Sequence, residues 1–86
     1  MKVLVNAVKF SPDEKLKVFV EEKVGKVERL LPDALQAEVN LKVEKPETNN
    51  NKIAEIRIVV RGNDLFVSKQ ADSLEEAAML AIDALK

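Results

Sequence analysis

The amino-acid sequence predicts an α+β fold in which two helices pack on one face of a four-stranded mixed sheet, in the order β-α-β-β-β-α. Two segments repeat apolar residues every three or four positions, as amphipathic helices do, and two others alternate between apolar and polar residues, as half-buried strands do. Turn-forming residues separate these segments. With 86 residues, the chain is expected to form a single domain over residues 1–86. Placing both helices on one sheet face buries both apolar stripes and leaves the other face in water.

The first strand is predicted over residues 2–8, which favour extended structure. Ser11, Pro12 and Glu14 follow with the spacing of a capping box, so Ser11 is expected to cap a helix and Pro12 to occupy its first position. The helix should run to about Leu31, where a proline follows and ends it. Its apolar stripe consists of Leu16, Phe19, Val20, Val24, Val27, Leu30 and Leu31.

The second and third strands are predicted over residues 35–45 and 52–60, where apolar and polar residues alternate. Such alternation predicts one face in the core and the other in water. The residues expected to point inward are Leu35, Ala37, Val39, Leu41 and Val43 in the second strand and Ala54, Ile56, Ile58 and Val60 in the third. The polar stretch over residues 46–51 is expected to form the hairpin loop between them.

A tight turn at residues 62–64 and a short fourth strand at residues 65–70 are predicted next. Leu65 and Val67 are expected on the core face and Phe66 on the solvated face. The hairpins make strands two to four antiparallel. The helical crossover makes the first strand parallel to a neighbour, most simply the second strand.

The last helix begins at a second capping box, from Ser73 to Glu76. Its apolar stripe consists of Leu74, Ala77, Ala78, Ala81, Ile82 and Leu85. The alanines in this stripe would let the helix approach its neighbours closely.

The composition argues against several classes of function. The chain has no His and no Cys, so it lacks the usual acid/base group, a thiol nucleophile and the commonest metal ligands. Neighbouring acids such as Glu21 and Glu22 are read as solvated helix surface, and there is no glycine-rich phosphate loop. We expect no catalysis, no cofactor, no metal and no small-molecule substrate. We also expect no membrane association and a cytoplasmic location, since no apolar run spans a bilayer and a secreted domain this small usually needs disulfides.

Basic residues are the remaining candidates for a binding surface. Lys15, Lys26 and Arg29 fall on one flank of the first helix, and Lys23 lies at its border inside the apolar stripe, so its ammonium must reach the edge. Lys42 and Arg57 fall on the solvated sheet face. The charge pattern alone favours the interpretation that these basic residues are ordinary surface charges. Their expected local partners are Glu22, Glu38, Glu44 and Glu55. An exposed Phe on that face could stack on a base, although such a Phe more often packs on a neighbour.

Four segments resemble one known family. Residues 15–31 resemble the first helix of the ribosome hibernation-promoting factor family, also called protein Y or the ribosome-associated inhibitor. Residues 41–45 resemble its second strand, residues 63–67 its last hairpin and residues 73–86 its final helix. The strand bearing a Phe and the Glu-Glu-Ala start of the last helix are most similar to the short-form branch found in Bacteroidetes.

The resemblance covers essentially the whole chain in register and implies a function. It implies a non-enzymatic factor that binds rRNA in the mRNA and tRNA channel of the small ribosomal subunit. Such a factor inhibits translation in stationary phase or stress and preserves or pairs idle ribosomes. The resemblance implies phosphate contacts, which fix register without reading sequence, from Lys23, Lys26, Arg29, Lys42 and Lys45. Weaker candidates are Lys15, Arg57, Phe66, Lys69 and Lys86.

A protein-interaction domain is the alternative hypothesis. It would bind a partner through its exposed sheet face or edge, without rRNA. We expect a monomer away from the ribosome.

The net charge of −1 argues against strong electrostatic binding of nucleic acid. However, residues 1–71 carry 13 Lys+Arg against 11 Asp+Glu, whereas residues 72–86 carry 1 against 4. The family usually continues into a Lys-rich tail, so a basic continuation after Lys86 would support the ribosome hypothesis.

Overall fold

A computed structural model of the chain describes residues 2–8, 10–44 and 51–85. Its elements follow the predicted order β-α-β-β-β-α, which confirms the α+β fold class. The strands are β1 (Lys2–Ala7), β2 (Ala34–Val43), β3 (Lys52–Val60) and β4 (Asn63–Ala71). The helices are α1 (Glu14–Gly25), which continues as a 3-10 segment (Lys26–Arg29), and α2 (Leu74–Leu85).

The four strands form one mixed sheet in the order β1-β2-β3-β4. β1 pairs with β2 in parallel, while the β2–β3 and β3–β4 pairs are antiparallel. This is the predicted topology, because a helical crossover joins β1 to β2 and hairpins join the later strands. β1 and β4 are the edge strands.

The core lies between one face of this sheet and the two helices. Its sheet side consists of Ala37, Val39, Leu41, Ala54, Ile56 and Ile58, all fully buried. Its helix side consists of Leu16, Val20, Val24 and Val27 from the first helical segment and Ala77, Ala78, Ala81 and Ile82 from α2. These residues belong to one cluster, so both predicted stripes are largely confirmed. The opposite sheet face, called here the open face, carries the alternate residues of each strand.

One predicted core residue of β2 points out of the core because the strand contains a β-bulge. Ala34 pairs with Val60 and Gln36 with Val59, so Leu35 is an extra residue that the partner strand does not match. The insertion reverses the alternation, and Leu35 is 58% exposed while Ala34 is buried. The prediction that Leu35 points inward is therefore wrong.

Val43 was also expected in the core and is exposed. It is the last residue of β2, and it lies outside the buried cluster and the partly buried residues packed against it. The predicted strand end at residue 45 is two residues too long, since β2 ends at Val43. Lys45 and most of the predicted hairpin loop lie outside the described residues. At the edge of that gap, the Glu44 backbone N–H donates to the Asn51 carbonyl at 2.8 Å.

The cap of α1 is Asp13 rather than the predicted Ser11. Asp13 has extended dihedral angles, and its Oδ1 accepts a hydrogen bond from the backbone N–H of Leu16 at 2.7 Å. A carboxylate accepts this bond as well as a hydroxyl does, and its charge also favours the positive end of the helix dipole. In α2 the prediction is confirmed, since Ser73 Oγ accepts from the Glu76 N–H at 3.1 Å.

The end of the first helical segment differs from the prediction. The α-helix ends at Gly25, and the 3-10 segment that follows has three residues per turn instead of 3.6. The 100° step that placed Leu30 in the apolar stripe no longer applies beyond Gly25. Leu30 follows the last residue of the 3-10 segment, where the helix ends, and is 55% exposed, so its predicted place in the buried stripe is wrong. Leu31 is partly buried against the core as predicted.

The β3–β4 turn is tighter than predicted. Val60 pairs with Asn63, so only Arg61 and Gly62 form the turn. Gly62 has φ of 84°, in the left-handed region that favours glycine. The predicted turn residues Asn63 and Asp64 instead begin β4, which is consequently longer than the predicted residues 65–70.

Candidate nucleic-acid interface

Three predicted site residues form a row at the end of the first helical segment. Lys23, Lys26 and Arg29 are each three positions apart, and residues at this spacing are neighbours on an α-helix surface. In the 3-10 segment the same spacing places side chains directly above one another. Lys26 and Arg29 are exposed, and Lys23 is half-buried. These three residues are called here the helix row.

No carboxylate of the described residues neutralises the helix row. Within residues 2–8, 10–44 and 51–85, none of its three cations forms an ion pair. Lys23 Nζ lies 5.7 Å from the centroid of the Phe19 ring, at cation–π distance. The Lys23 ammonium thus lies beside an aromatic ring on the same helix. The end of a helix also favours cations through its dipole, which contributes to the stability of this arrangement.

Lys15 lies at the other end of the same helix. It is exposed in the first turn of α1, about 12 Å along the axis from Lys23 at 1.5 Å per residue. The structure therefore places it on α1 but not in the helix row.

The sheet cations are paired with carboxylates on the open face. Lys42 Nζ lies 3.0 Å from Glu55 Oε1. Arg57 Nε donates to Asp64 Oδ2 at 3.0 Å, and its Nη1 lies 3.4 Å from Glu38 Oε2. The hydrogen bond and charge of Asp64, with the charge of Glu38, raise the pKa of the Arg57 guanidinium. A phosphate approaching here must compete with carboxylates already in place.

The structure separates the predicted site residues into two surfaces. Lys42 and Arg57 alternate along their strands with buried residues that face the helices, so they project from the open face and the sheet lies between them and the helix row. Lys69 pairs with Ala54 and therefore belongs to the helix side of edge strand β4, where it is exposed. Lys45 and Lys86 lie outside the described residues.

Phe66 projects from the open face as predicted. It is 63% exposed and lies directly across from Arg57 in the β3–β4 pair. Its neighbours include the ion pairs described above, so the surroundings of this ring are close to neutral. A stacking contact here would therefore lack the unpaired cations that attract a phosphate backbone.

A cleft opens between the first helical segment and α2, next to two residues of the helix row. It has a volume of about 140 Å³. It is lined by Lys23, Lys26, Val27, Leu30, Met79 and Ile82. This interhelical cleft was not predicted from the sequence. No local sequence pattern indicates it, because it depends on how the first helical segment packs beside α2.

The described part of the chain contains neither a metal-binding cluster nor a membrane-spanning helix. No group of three or more His, Cys, Asp or Glu residues there is arranged to hold a metal ion. Neither described helix is long and apolar enough to cross a membrane.

Comparison with known proteins gives a family match over nearly the whole chain. The model of the family described as sigma 54 modulation protein / S30EA ribosomal protein matches residues 3–86. No curated protein sequence matches significantly.

Two solved structures share the fold. A ribosomal subunit interface protein from Coxiella burnetii has a TM-score of 0.87 at 13% identity, covering 99% of this chain and 89% of that one. The Protein Y N-terminal domain from Thermus thermophilus has a TM-score of 0.82 at 22% identity, covering 99% and 91%. At these identities the likeness supports the fold.

Proposed function

The chain belongs to the sigma 54 modulation protein / S30EA ribosomal protein family, and we propose that it is a hibernation factor that binds rRNA of the small ribosomal subunit. In this proposal it acts without catalysis, in the cytoplasm, by occupying the channel where mRNA and tRNA lie. Its binding inhibits translation and maintains ribosomes in a dormant state during stationary phase or stress.

The observation that carries this proposal is the helix row. Its three cations are aligned at a spacing of three residues and have no carboxylate partner among the described residues. Unpaired, aligned cations suit the repeating phosphates of an RNA backbone, because binding releases condensed counterions without first breaking protein ion pairs. Phosphate contacts fix position without reading sequence, which suits a factor that binds one place on every ribosome.

The sheet cations have a smaller part in this proposal. Lys42 and Arg57 are held by Glu55, Glu38 and Asp64. A phosphate gains less from a cation that is already neutralised, so we assign the main contacts to the helix row and secondary contacts to the open face.

Co-sedimentation with small ribosomal subunits at low salt tests the proposal. The variant Lys23→Glu/Lys26→Glu should lose at least tenfold in affinity, because it replaces two attractions with two repulsions. The control Lys2→Glu/Lys17→Glu changes the net charge equally at exposed residues outside the helix row and should bind within about threefold of wild type. Circular dichroism should show native structure for both variants.

Two results would contradict the proposal. Equal losses in both variants would show that only net charge matters and that the helix row is not the contact. A wild-type chain that does not sediment with subunits at low salt would refute rRNA binding. The open face around Phe66 would then be the better candidate, as the docking surface of a protein-interaction domain.

A further inference from the structure

The interhelical cleft combines an apolar floor with a cationic edge. Val27 lines it from the 3-10 segment and Leu30 from the position directly after that segment, and Met79 and Ile82 line it from α2. Lys23 and Lys26 complete the lining, and neither ammonium has a carboxylate partner among the described residues. A ligand that fits both parts has an apolar body and carries negative charge directly beside it.

The size of the cleft restricts this body. Its volume is about 140 Å³, and an apolar cavity of about 150 Å³ is large enough to bind benzene. One six-membered ring therefore matches the cleft in size. Met79 adds adaptability, because an unbranched thioether side chain can adjust to the faces of a flat ring.

We propose that the cleft receives one unstacked pyrimidine base of a single-stranded RNA, with the flanking phosphates on Lys23 and Lys26. The inference rests on the proposed function and deepens it, since it assigns a base contact to a surface otherwise expected to touch only phosphates. Single-stranded RNA is commonly recognised by bases turned out of the stack, with their polar edges available for hydrogen bonds.

The row of cations favours RNA over an acidic peptide as the occupant. Lys23 and Lys26 line the cleft, and Arg29 continues the positive charge beyond it at the same spacing of three residues. An RNA strand supplies a phosphate at each nucleotide that can follow this row. A peptide would need acidic residues placed to match all three positions.

Fluorescence anisotropy with short RNA oligonucleotides at low salt tests the inference. Three probes of equal length are compared, namely oligo(U), oligo(A) and an abasic ribose-phosphate strand. The wild-type chain should bind oligo(U) about five- to tenfold more tightly than the abasic strand and about threefold more tightly than oligo(A).

Leu30→Ser removes part of the apolar floor at a residue already 55% exposed, so the fold should be retained. It should weaken oligo(U) binding at least threefold and leave binding of the abasic strand unchanged. Leu35→Ser is the matched control, since Leu35 is 58% exposed and does not line the cleft. It should bind all three probes as wild type does. Met79→Ala provides a second floor variant and should reproduce the effect of Leu30→Ser.

The possible failures are distinguishable from those of the proposed function. Equal binding of oligo(U) and the abasic strand, or oligo(U) binding unchanged in both floor variants, would refute the base contact while leaving phosphate binding intact. A preference for oligo(A) would also refute it. If the chain bound none of the three probes, the base contact would also be refuted. The proposed rRNA binding would be rejected only if the chain also failed to sediment with small ribosomal subunits. A peptide of alternating Glu and Leu should not bind, and its binding in place of oligo(U) would assign the cleft to a protein partner.

Discussion

At the residue scale, the basic side chains of this chain differ in what they contact. Arg57 bonds to Asp64 and pairs with Glu38, whereas Lys26 is exposed and unpaired within the described residues. Equal formal charge therefore gives unequal capacity to attract a phosphate. The sequence shows how many cations there are. Which carboxylate pairs with a sheet cation depends on the strand register, because the register decides which residues lie opposite each other.

The difference in burial between Leu41 and Leu35, both in β2, gives a residue-scale prediction. Leu41 is fully buried, and Leu41→Ala should lower the free energy of unfolding by about 2–5 kcal/mol through lost apolar burial and a residual cavity. Leu35→Ala should change it by less than about 0.5 kcal/mol, since Leu35 is 58% exposed. Urea unfolding of both variants measures the difference, and equal destabilisation would contradict the β-bulge.

At the scale of the element, local signals predicted both helices and the cap of α2, but not the cap of α1 or the way the first helical segment ends. Ser11 was the predicted cap of α1, whereas the structure uses Asp13. Beyond Gly25 the α-helix tightens into a 3-10 segment, which places Lys26 and Arg29 in line, and Leu30 follows directly after its end. The end geometry of one helix thus shapes both the helix row and the cleft.

The cap assignment gives an element-scale prediction. Asp13→Ala should lower the free energy of unfolding by about 1 kcal/mol, because it leaves the Leu16 N–H without its carboxylate acceptor. For a domain of this size, that corresponds to a fall in Tm of about 4–8 °C. Ser11→Ala should have little effect. Thermal unfolding followed by circular dichroism compares the two, and the opposite order would restore Ser11 as the cap.

At the scale of the whole molecule, a net charge of −1 conceals two different surfaces. The helix row is positive and has no ion-pair partner in the part of the chain that the structure describes. The open face carries cations that are paired with Glu38, Glu55 and Asp64. A nearly neutral chain can therefore still present one surface suited to an RNA backbone, because a phosphate responds mainly to charges within about a Debye length.

The number of phosphate contacts gives a prediction for the whole molecule. Three contacts from the helix row should give a plot of log affinity against log salt with a slope of about −2 to −3, since each contact contributes about −0.7 to −0.9. Binding to small ribosomal subunits across a salt series, at constant magnesium, measures this slope. A slope near −5 would show that the ion-paired cations of the open face also contact phosphates.

The sequence by itself determined the order of elements, the apolar stripes of both helices and the bounds of β3. These features follow from periodicity, turn residues and capping, which act between residues a few positions apart. It also supplied the family resemblance and the three residues of the helix row, whose alignment needs only a helical spacing.

Only the tertiary structure decided which cations are paired, where β2 contains a bulge and where a cleft opens. Each of these depends on contacts between distant parts of the chain. Arg57 meets Glu38 across 19 positions of sequence, and the cleft exists because Leu30 and Met79 line it from two helical segments. Local periodicity carries no information about such contacts, because strand register and helix packing are set by how the whole core fills its space.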